Sequence, residues 1–325
     1  MERRNFIKKT TAVTVLGSMG SVSGTFGREQ KRMTEIKRKL GKTGFEVFPV
    51  GYGGIVSMSD GQAASNNYVA WAIDRGINYF DVAPGYQDAQ EKLGNSLKSF
   101  RKNVYLACKT GQRLYEEAKK DFERSLELLH TDYFDVYQMH GLSKQEDIDR
   151  AFGPDGVMKL MIKAREEGQV RKLGITAHSE EIALKALELY DFDTVMFPLN
   201  WMMNKYSGMG TGLCKEVARR GAGLLAIKPL IHRHWKDGSE RENSAYPKAW
   251  CKPIDTFTDK PLALAALKYS LQLGPDILIP PGDFKSFFFA VDHIEEILAS
   301  PSLSREETAL LEKEFDLVKS YPFFG

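Results

Sequence analysis

Cysteine is scarce. The 325 residues contain Cys108, Cys214 and Cys251 and no other cysteine. The number is odd, the three are scattered, and none stands in metal-ligand spacing, which argues against a disulfide framework and a zinc site. Excess charge of one sign is also missing. Basic and acidic side chains balance to +2, so nothing points to a nucleic-acid partner. Beyond residue 30 no apolar run is long enough to cross a bilayer. No interdomain linker interrupts the chain, which is long enough to bury one large core.

What is present is a rhythm. Strand-like apolar runs lie near 50–53, 77–81, 103–108, 134–139, 171–175, 194–199, 223–228 and 276–279. Helical patterns follow them at 62–75, 88–99, 115–129, 156–167, 179–190, 211–220, 259–273 and 283–298. Short apolar runs alternating with helices read as βαβ units in a parallel sheet. Eight such pairs predict an α/β fold, a (β/α)8 TIM barrel. Residues 37–54 hold a hairpin turned at Lys42-Thr43-Gly44 before the first barrel strand. A last helix, about 303–319, opens with Ser304 and Glu307 in capping-box spacing. One connection breaks the rhythm, residues 229–258, with three prolines, His232, His234, Trp235 and Trp250. A connection this long is more often functional than filler, and after strand seven it should fold over the catalytic rim.

Three strand ends carry ionisable groups: Asp81 closes Asn78-Tyr79-Phe80-Asp81, Lys109 closes Val104–Lys109, and His140 closes Phe134–His140. The carboxyl ends of barrel strands share one rim, and Tyr86 lies in the loop five residues after Asp81. A phenol near pKa ~10 is a poor acid at neutral pH, and an adjacent ammonium lowers it. Lys109 supplies that charge, Asp81 holds Lys109, and His140 orients an oxygen. Tyr86 then exchanges a proton with a carbonyl or alcohol. No side chain supplies the hydride such a reaction needs, whereas a nicotinamide does. Paired-carboxylate glycoside hydrolysis on the same barrel is disfavoured: the remaining rim positions read Gly53, Thr176, Asn200 and Lys228, with no second acid for Asp81.

These segments resemble the aldo/keto reductase superfamily. Gly76-Ile77-Asn78-Tyr79-Phe80-Asp81-Val82-Ala83-Pro84-Gly85-Tyr86, with Glu91 and Gly94, is similar to its first signature, and Ala107-Cys108-Lys109-Thr110 to its lysine strand. Ser125-Leu126 through Asp132, Asp135 and His140 resembles a third motif, and Gly168–Ile175 the strand-five motif. The resemblance runs from about Lys37 to Asp292. It implies a catalytic tetrad of Asp81, Tyr86, Lys109 and His140 and a nicotinamide cofactor, NADP(H) first and NAD(H) second, extended across the top of the barrel. The substrate is then a small carbonyl or alcohol: an aldehyde, a ketone or a sugar-type molecule.

The resemblance has gaps. The family's Ser-Asn and Gln clamp on the nicotinamide is replaced by Thr176-Ala177-His178 and Met196, so Thr176, His178 and Asn200 are the polar candidates for those contacts. Gly53, Gly282 and Lys228 are further cofactor candidates. After strand eight, Pro281-Gly282-Asp283 opens a helix where a phosphate could sit. Lys285 would meet a 2′-phosphate, Asp283 opposes one, and Asp292 stands where the family commonly has Asn. The three phenylalanines 287–289 read as core. Trp201, His232, His234, Trp235 and Trp250 are candidate substrate walls. His232-x-His234 lacks a placed third ligand, so no metal is assigned. The lost clamp keeps a second class open, a nicotinamide-binding sensor or scaffold without turnover. Tyr86→Phe separates the two.

The N-terminus is read apart from the fold. Arg3-Arg4-Asn5-Phe6-Ile7-Lys8-Lys9, followed by an uncharged, weakly apolar run to Gly27, has the form of an export signal. Its paired arginines resemble the twin-arginine type. Residues 1–27 are thus expected to be a signal and 28–325 a single barrel domain. Loss of the segment removes Glu2 and four basic groups and takes the net charge from +2 to −1. The expectation is an exported, periplasmic protein that uses the twin-arginine translocation machinery, without a membrane span in its mature form. Export implies a tightly held cofactor that travels with the protein.

Overall fold

In the computed structural model, which describes residues 36–321, the chain opens on an antiparallel pair, β1 (Arg38–Lys39) and β2 (Glu46–Val47). The signal-type segment 1–27 lies outside the described residues. Strands and helices then alternate: β3 (Tyr52–Gly53), α1 (Gln62–Asp74), β4 (Tyr79–Asp81), α2 (Ala89–Leu97), β5 (Tyr105–Thr110), α3 (Tyr115–Leu128) and β6 (Phe134–Leu142). After α4 (Gln145–Ala151) and α5 (Val157–Glu166) come β7 (Val170–Ala177), α6 (Glu180–Leu189), β8 (Thr194–Pro198), α7 (Trp201–Ser207), α8 (Thr211–Arg220) and β9 (Gly223–Ile227). An excursion holds β10 (Ile231–Arg233), α9 (Gly238–Glu242) and β11 (Lys252–Pro253). It leads into α10 (Lys260–Gln272), β12 (Ile277–Ile279), α11 (Phe284–Ala299) and α12 (Arg305–Val318).

Strands β3 to β9 and β12 form one parallel sheet in sequence order. A bridge between Val50 and Leu278 joins its edges, with Gly51 N donating to Leu278 O (2.9 Å) and Leu278 N to Pro49 O (2.8 Å). The eight-stranded (β/α)8 barrel is therefore as the rhythm predicts. Its strands are buried almost throughout because helices cover the outside and packed side chains the inside, and this gives the near-continuous apolar runs. The hairpin closes the amino-terminal mouth: Leu40, Phe45 and Val47 join Tyr79, Ala107, Val136, Met196 and Leu225 in one interior cluster. Gly41, at φ +47°, permits that approach, since a Cβ there would lie 2.4 Å from the Gly223 nitrogen. Asp135 fixes three neighbouring strands by accepting from Arg101 Nη1 (2.9 Å), Arg171 Nη1 (2.7 Å) and the Leu106 nitrogen (2.9 Å).

The excursion after β9 is an ordered strap. Strands β10 and β11 pair antiparallel. Lys248 Nζ donates to Asp60 Oδ2 (2.5 Å) and Val56 O (3.1 Å), tying the strap to the segment after β3. Its other side is held by the last helix and the residues after it: His232 Nε2 meets Glu314 Oε1 of α12 at 2.6 Å, and His234 N donates to Tyr321 O (3.2 Å). The expected capping box of α12 is present through Ser304 and Glu307. Among the described residues no helix is long and apolar enough to cross a membrane.

Candidate active site

Asp81 ends β4, Lys109 lies one residue from the end of β5, and His140 lies in the last third of β6. Tyr86 comes from the β4–α2 loop, where Tyr86 N donates to Ala83 O (3.1 Å) and Ala89 N to Tyr86 O (2.9 Å). That loop is tied to the segment after β3 through Ser59, whose nitrogen donates to Asp88 Oδ1 (2.8 Å) and whose hydroxyl donates to Gln87 Oε1 (2.8 Å).

The four side chains meet in one cavity at the carboxyl end of the barrel. Lys109 Nζ donates to Asp81 Oδ2, and both groups are buried. The ammonium also lies 3.4 Å from Val82 O and 5.1 Å from the centre of the Tyr86 ring. The Tyr86 ring stands edge-on to His140 at 5.8 Å and to Trp250 at 5.9 Å. His140 is steadied from behind, its carbonyl accepting from Arg113 Nη2 (2.9 Å) while Arg113 Nε reaches Asp147 (3.0 Å).

The same cavity takes in Gly53, Thr176, His178, Lys228, Trp250 and Gly282 of the residues singled out in the sequence. Thr176 Oγ1 accepts from Gly141 N (2.7 Å), which leaves its own O–H to donate. Lys228 is held in the left-handed region, φ +63°, at the end of β9. Several walls were not foreseen: Ile55, Ile227, Ile231, Cys251 and Ile279. They are ordinary apolar residues whose convergence comes from barrel closure and the strap, so sequence carries no local signal for them. Gln138, which does not line the cavity but donates to Asp81 Oδ1 at 3.0 Å, was also missed, although it lies two residues before His140 and therefore on the same strand face.

Other expected site residues are placed elsewhere. Asn200 is fully buried as the N-cap of α7, its Oδ1 accepting from Met203 N at 2.9 Å. Trp201 is core, wholly buried with Nε1 donating to Ile231 O (3.0 Å). Trp235 packs with Tyr246 and Ala249 and donates to Ala249 O (2.9 Å). His232 and His234 serve the outer attachment of the strap, and His234 Nδ1 lies 2.8 Å from Trp235 O. Lys285 sits over the Tyr246 ring, its Nζ 5.3 Å from the ring centre. Asp292 is on α11, 4.0 Å from His293, outside the cavity. The start of α11 is occupied by its own cap: Asp283 accepts from Ser286 N and Ser286 Oγ, both at 2.8 Å. Among the described residues no three His, Cys, Asp or Glu side chains are grouped to hold a metal ion.

Burial sets the titration of the site. It raises the Tyr86 phenol above its usual value, and the Lys109 ammonium pulls the other way without overcoming it. Lowering by Lys109 is therefore a moderation of burial rather than a net depression. Burial also lifts the Asp81 carboxyl against the pull of Lys109 and Gln138. Lys109 is pushed down by burial but ends above its ordinary value because Asp81 and Tyr86 outweigh it. His140 is pushed down to about 3 by burial and then by Lys109, and His178 to about 4 by burial and then by Lys228. Both imidazoles are neutral at physiological pH. Burial lowers Lys228 as well.

A barrel with a buried lysine–aspartate pair under a tyrosine, beside a neutral histidine, is the arrangement of a proton-transfer site. The chain belongs to the aldo/keto reductase family, whose model matches residues 52–310. It is 28% identical over 269 residues to L-galactose dehydrogenase from Arabidopsis thaliana, an alignment covering 74% of this chain and 81% of that protein. It is 29% identical over 215 residues to the oxidoreductase YqkF of Bacillus subtilis, covering 60% and 68%. In fold it resembles the holo form of the aldo-keto reductase AKR11C1 from Bacillus halodurans, with a TM-score of 0.65, 22% identity, and 89% and 98% of the two chains covered. Membership makes the protein an oxidoreductase of the carbonyl/alcohol class.

Proposed function

We propose that the protein is an exported oxidoreductase that interconverts a carbonyl and an alcohol with NADP(H), NAD(H) being the alternative cofactor, and with Tyr86 as general acid/base. The observation that carries the reading is the convergence of Asp81, Tyr86, Lys109 and His140 in one cavity. The residues there suit a nicotinamide dinucleotide. Lys228 is a half-buried cation on a wall with Ile227, Ile279 and Gly282, and Thr176 and His178 offer polar contacts in the same cavity. A bound dinucleotide supplies the hydride in reduction and accepts it in oxidation.

The chain's own residues handle the proton. In the reducing direction the neutral Tyr86 phenol donates to the carbonyl oxygen. Lys109 stabilises the phenolate that forms, and Asp81 keeps that ammonium in place. His140, neutral above pH about 3, binds the same oxygen through a ring N–H and orients it. In the oxidising direction the phenolate takes the proton back. A relative named for L-galactose, together with Trp250 standing edge-on to Tyr86, supports a sugar-type substrate.

The twin-arginine-type segment adds the site of action. Export of the folded chain, with its cofactor already bound, makes the protein periplasmic and requires turnover to regenerate the cofactor in place. Protein exported through its own signal is to be purified and denatured, and the supernatant examined by absorbance and mass. Stoichiometric dinucleotide is the expected result. An empty supernatant, with no NADPH or NADH binding in titration, would overturn the reading.

A further inference from the structure

Beneath the reacting groups the barrel interior has a polar layer that the mechanism above does not use. Gln138, wholly buried, donates Nε2 to Asp81 Oδ1 at 3.0 Å. The other carboxylate oxygen, Oδ2, is taken by Lys109. An ionised carboxylate accepts and never donates, so the orientation of the Gln138 amide is fixed with its nitrogen toward Asp81. Its Oε1 is then turned away, and that atom has no hydrogen-bond partner among the described residues. Tyr79 OH and Thr194 Oγ1 are likewise buried without a partner. Tyr79 lies two residues before Asp81 on the same face of β4. Thr194 and Gln138 both crowd Gly174: a Cβ there would lie 2.2 Å from Thr194 Oγ1 and 3.1 Å from Gln138 Cγ. A buried amide normally satisfies both ends. Gln138 leaves one end open and commits the other to Asp81, where a leucine of similar volume would bring no unmet end of its own but would leave Asp81 Oδ1 without its partner.

We infer that Gln138 is a positioning residue for the reaction, holding the Asp81 carboxylate ionised and in register with Lys109 by bonding the oxygen that Lys109 leaves free. The inference rests on the proposed oxidoreductase reading. Gln138 touches no reacting atom; it acts through Asp81 on Lys109, and through Lys109 on the Tyr86 phenolate. A hydrogen bond to the charged form of a carboxyl lowers its pKa, and Gln138 acts on Asp81 in that sense, after burial and Lys109.

The test compares full-length wild type with Gln138→Leu, Gln138→Met and Gln138→Glu. The first readout needs no turnover: the Asp81 carboxyl is titrated by carbon NMR of aspartate-labelled protein. Loss of the bond should raise its pKa by about one unit in Gln138→Leu and Gln138→Met. The second readout is kinetic. Both variants should lose about tenfold or more in kcat with KM within about twofold, and the acid limb of the kcat–pH profile should move up with the carboxyl. Gln138→Glu should instead lose activity as pH rises through the new acid's pKa, because the neutral acid donates to Asp81 and the anion repels it. An unmoved Asp81 titration in both the Leu and Met variants overturns the inference, as does an unmoved acid limb accompanied by lower thermal stability alone. If wild type turns over no carbonyl or alcohol while the Asp81 titration moves as stated, the oxidoreductase reading fails and the positioning role stands.

Discussion

The two halves of the rim are built differently. On the β4–β6 side, charged and polar side chains hold the site: Asp81 binds Lys109 and Gln138, and Arg113 holds the His140 carbonyl. On the β7–β12 side, residues are fixed by the backbone of distant segments: Thr176 by Gly141, Lys228 by a left-handed turn, Trp250 by a strap that Lys248 anchors to Asp60. The first half tolerates little change because each group sets the charge state of the next. The second can exchange side chains as long as the segments stay in place, and it is there that the familiar clamp has been replaced.

That division makes its sharpest prediction at Tyr86. Removing the hydroxyl in Tyr86→Phe should lower kcat by about a thousandfold, within the range for a general acid, while leaving dinucleotide affinity within about twofold. On the other side, Lys228→Met should weaken dinucleotide binding about tenfold, as loss of one charge contact does, with the rate of saturated enzyme little changed. Stopped-flow turnover and fluorescence titration separate the two effects. If Tyr86→Phe weakens binding and spares turnover, the halves have been assigned the wrong way round.

A second test uses two tryptophans that the sequence ranked alike. Trp201 is wholly enclosed, whereas Trp250 is 46% exposed beside Tyr86. Trp201→Ala should cost about 3–5 kcal/mol of stability, as for any large core aromatic, and leave KM nearly unchanged in the protein that folds. Trp250→Ala should barely move the denaturation midpoint and should raise KM severalfold. Chemical denaturation and initial-rate kinetics on both variants check this. Equal stability losses would mean that the strap is part of the core rather than a wall of the cavity.

The same pair shows what was legible in the sequence and what was not. The eight strands could be read because a parallel barrel buries both faces of each strand, so the signal is local and strong. Asp81, Tyr86, Lys109 and His140 could be read because each ends or follows such a strand. Trp201 and Trp250 could not be ranked, because what separates them is a bond to Ile231 thirty residues away and a strap pinned to Asp60. His232 reads in the sequence as a substrate wall, whereas its partner in the fold, Glu314, is 82 positions downstream. Asn200 looked like a cofactor contact because caps and contacts use the same side chain. The direction at Tyr86 was misjudged for a related reason: spacing reveals the neighbouring ammonium but not the depth of burial that outweighs it.

A third test turns on pH. His140 is held at about 3 against 6.5 in an unfolded chain. Between those values the unfolded state binds the extra proton, so the stabilisation is full above pH 6.5 and is lost as pH falls toward 3. His178, at about 4, acts in the same direction over a narrower window. Wild type should therefore lose stability steadily from pH 6.5 to 4, and His140→Asn should lose about 3 kcal/mol less over that range. Thermal melts at a series of pH values measure the difference. Parallel curves would mean that His140 takes up its proton in the folded protein near its ordinary pKa, and it would then be the neutral donor to the substrate oxygen only above about pH 6.5.

The smallest effect probes the far edge of the second half. Asp283 places a carboxylate over the first turn of α11, where it accepts from Ser286 N, and Lys285 is drawn away to Tyr246. An anion-binding helix start is thus already satisfied by the chain's own anion, against the seat that NADP(H) was expected to find there. Asp283→Asn keeps a capping oxygen and removes the charge, so helix stability should fall by a few tenths of a kcal/mol up to about 1 kcal/mol. The informative quantity is a ratio. If a 2′-phosphate approaches this turn, removal of the charge should raise NADPH affinity about threefold to tenfold while leaving NADH affinity unchanged, and raised salt should shrink the gain because the repulsion is screened. An equal response of the two dinucleotides would place the 2′-phosphate away from α11. Lys228, the half-buried cation on the cavity wall, would then be the charge to examine for cofactor choice.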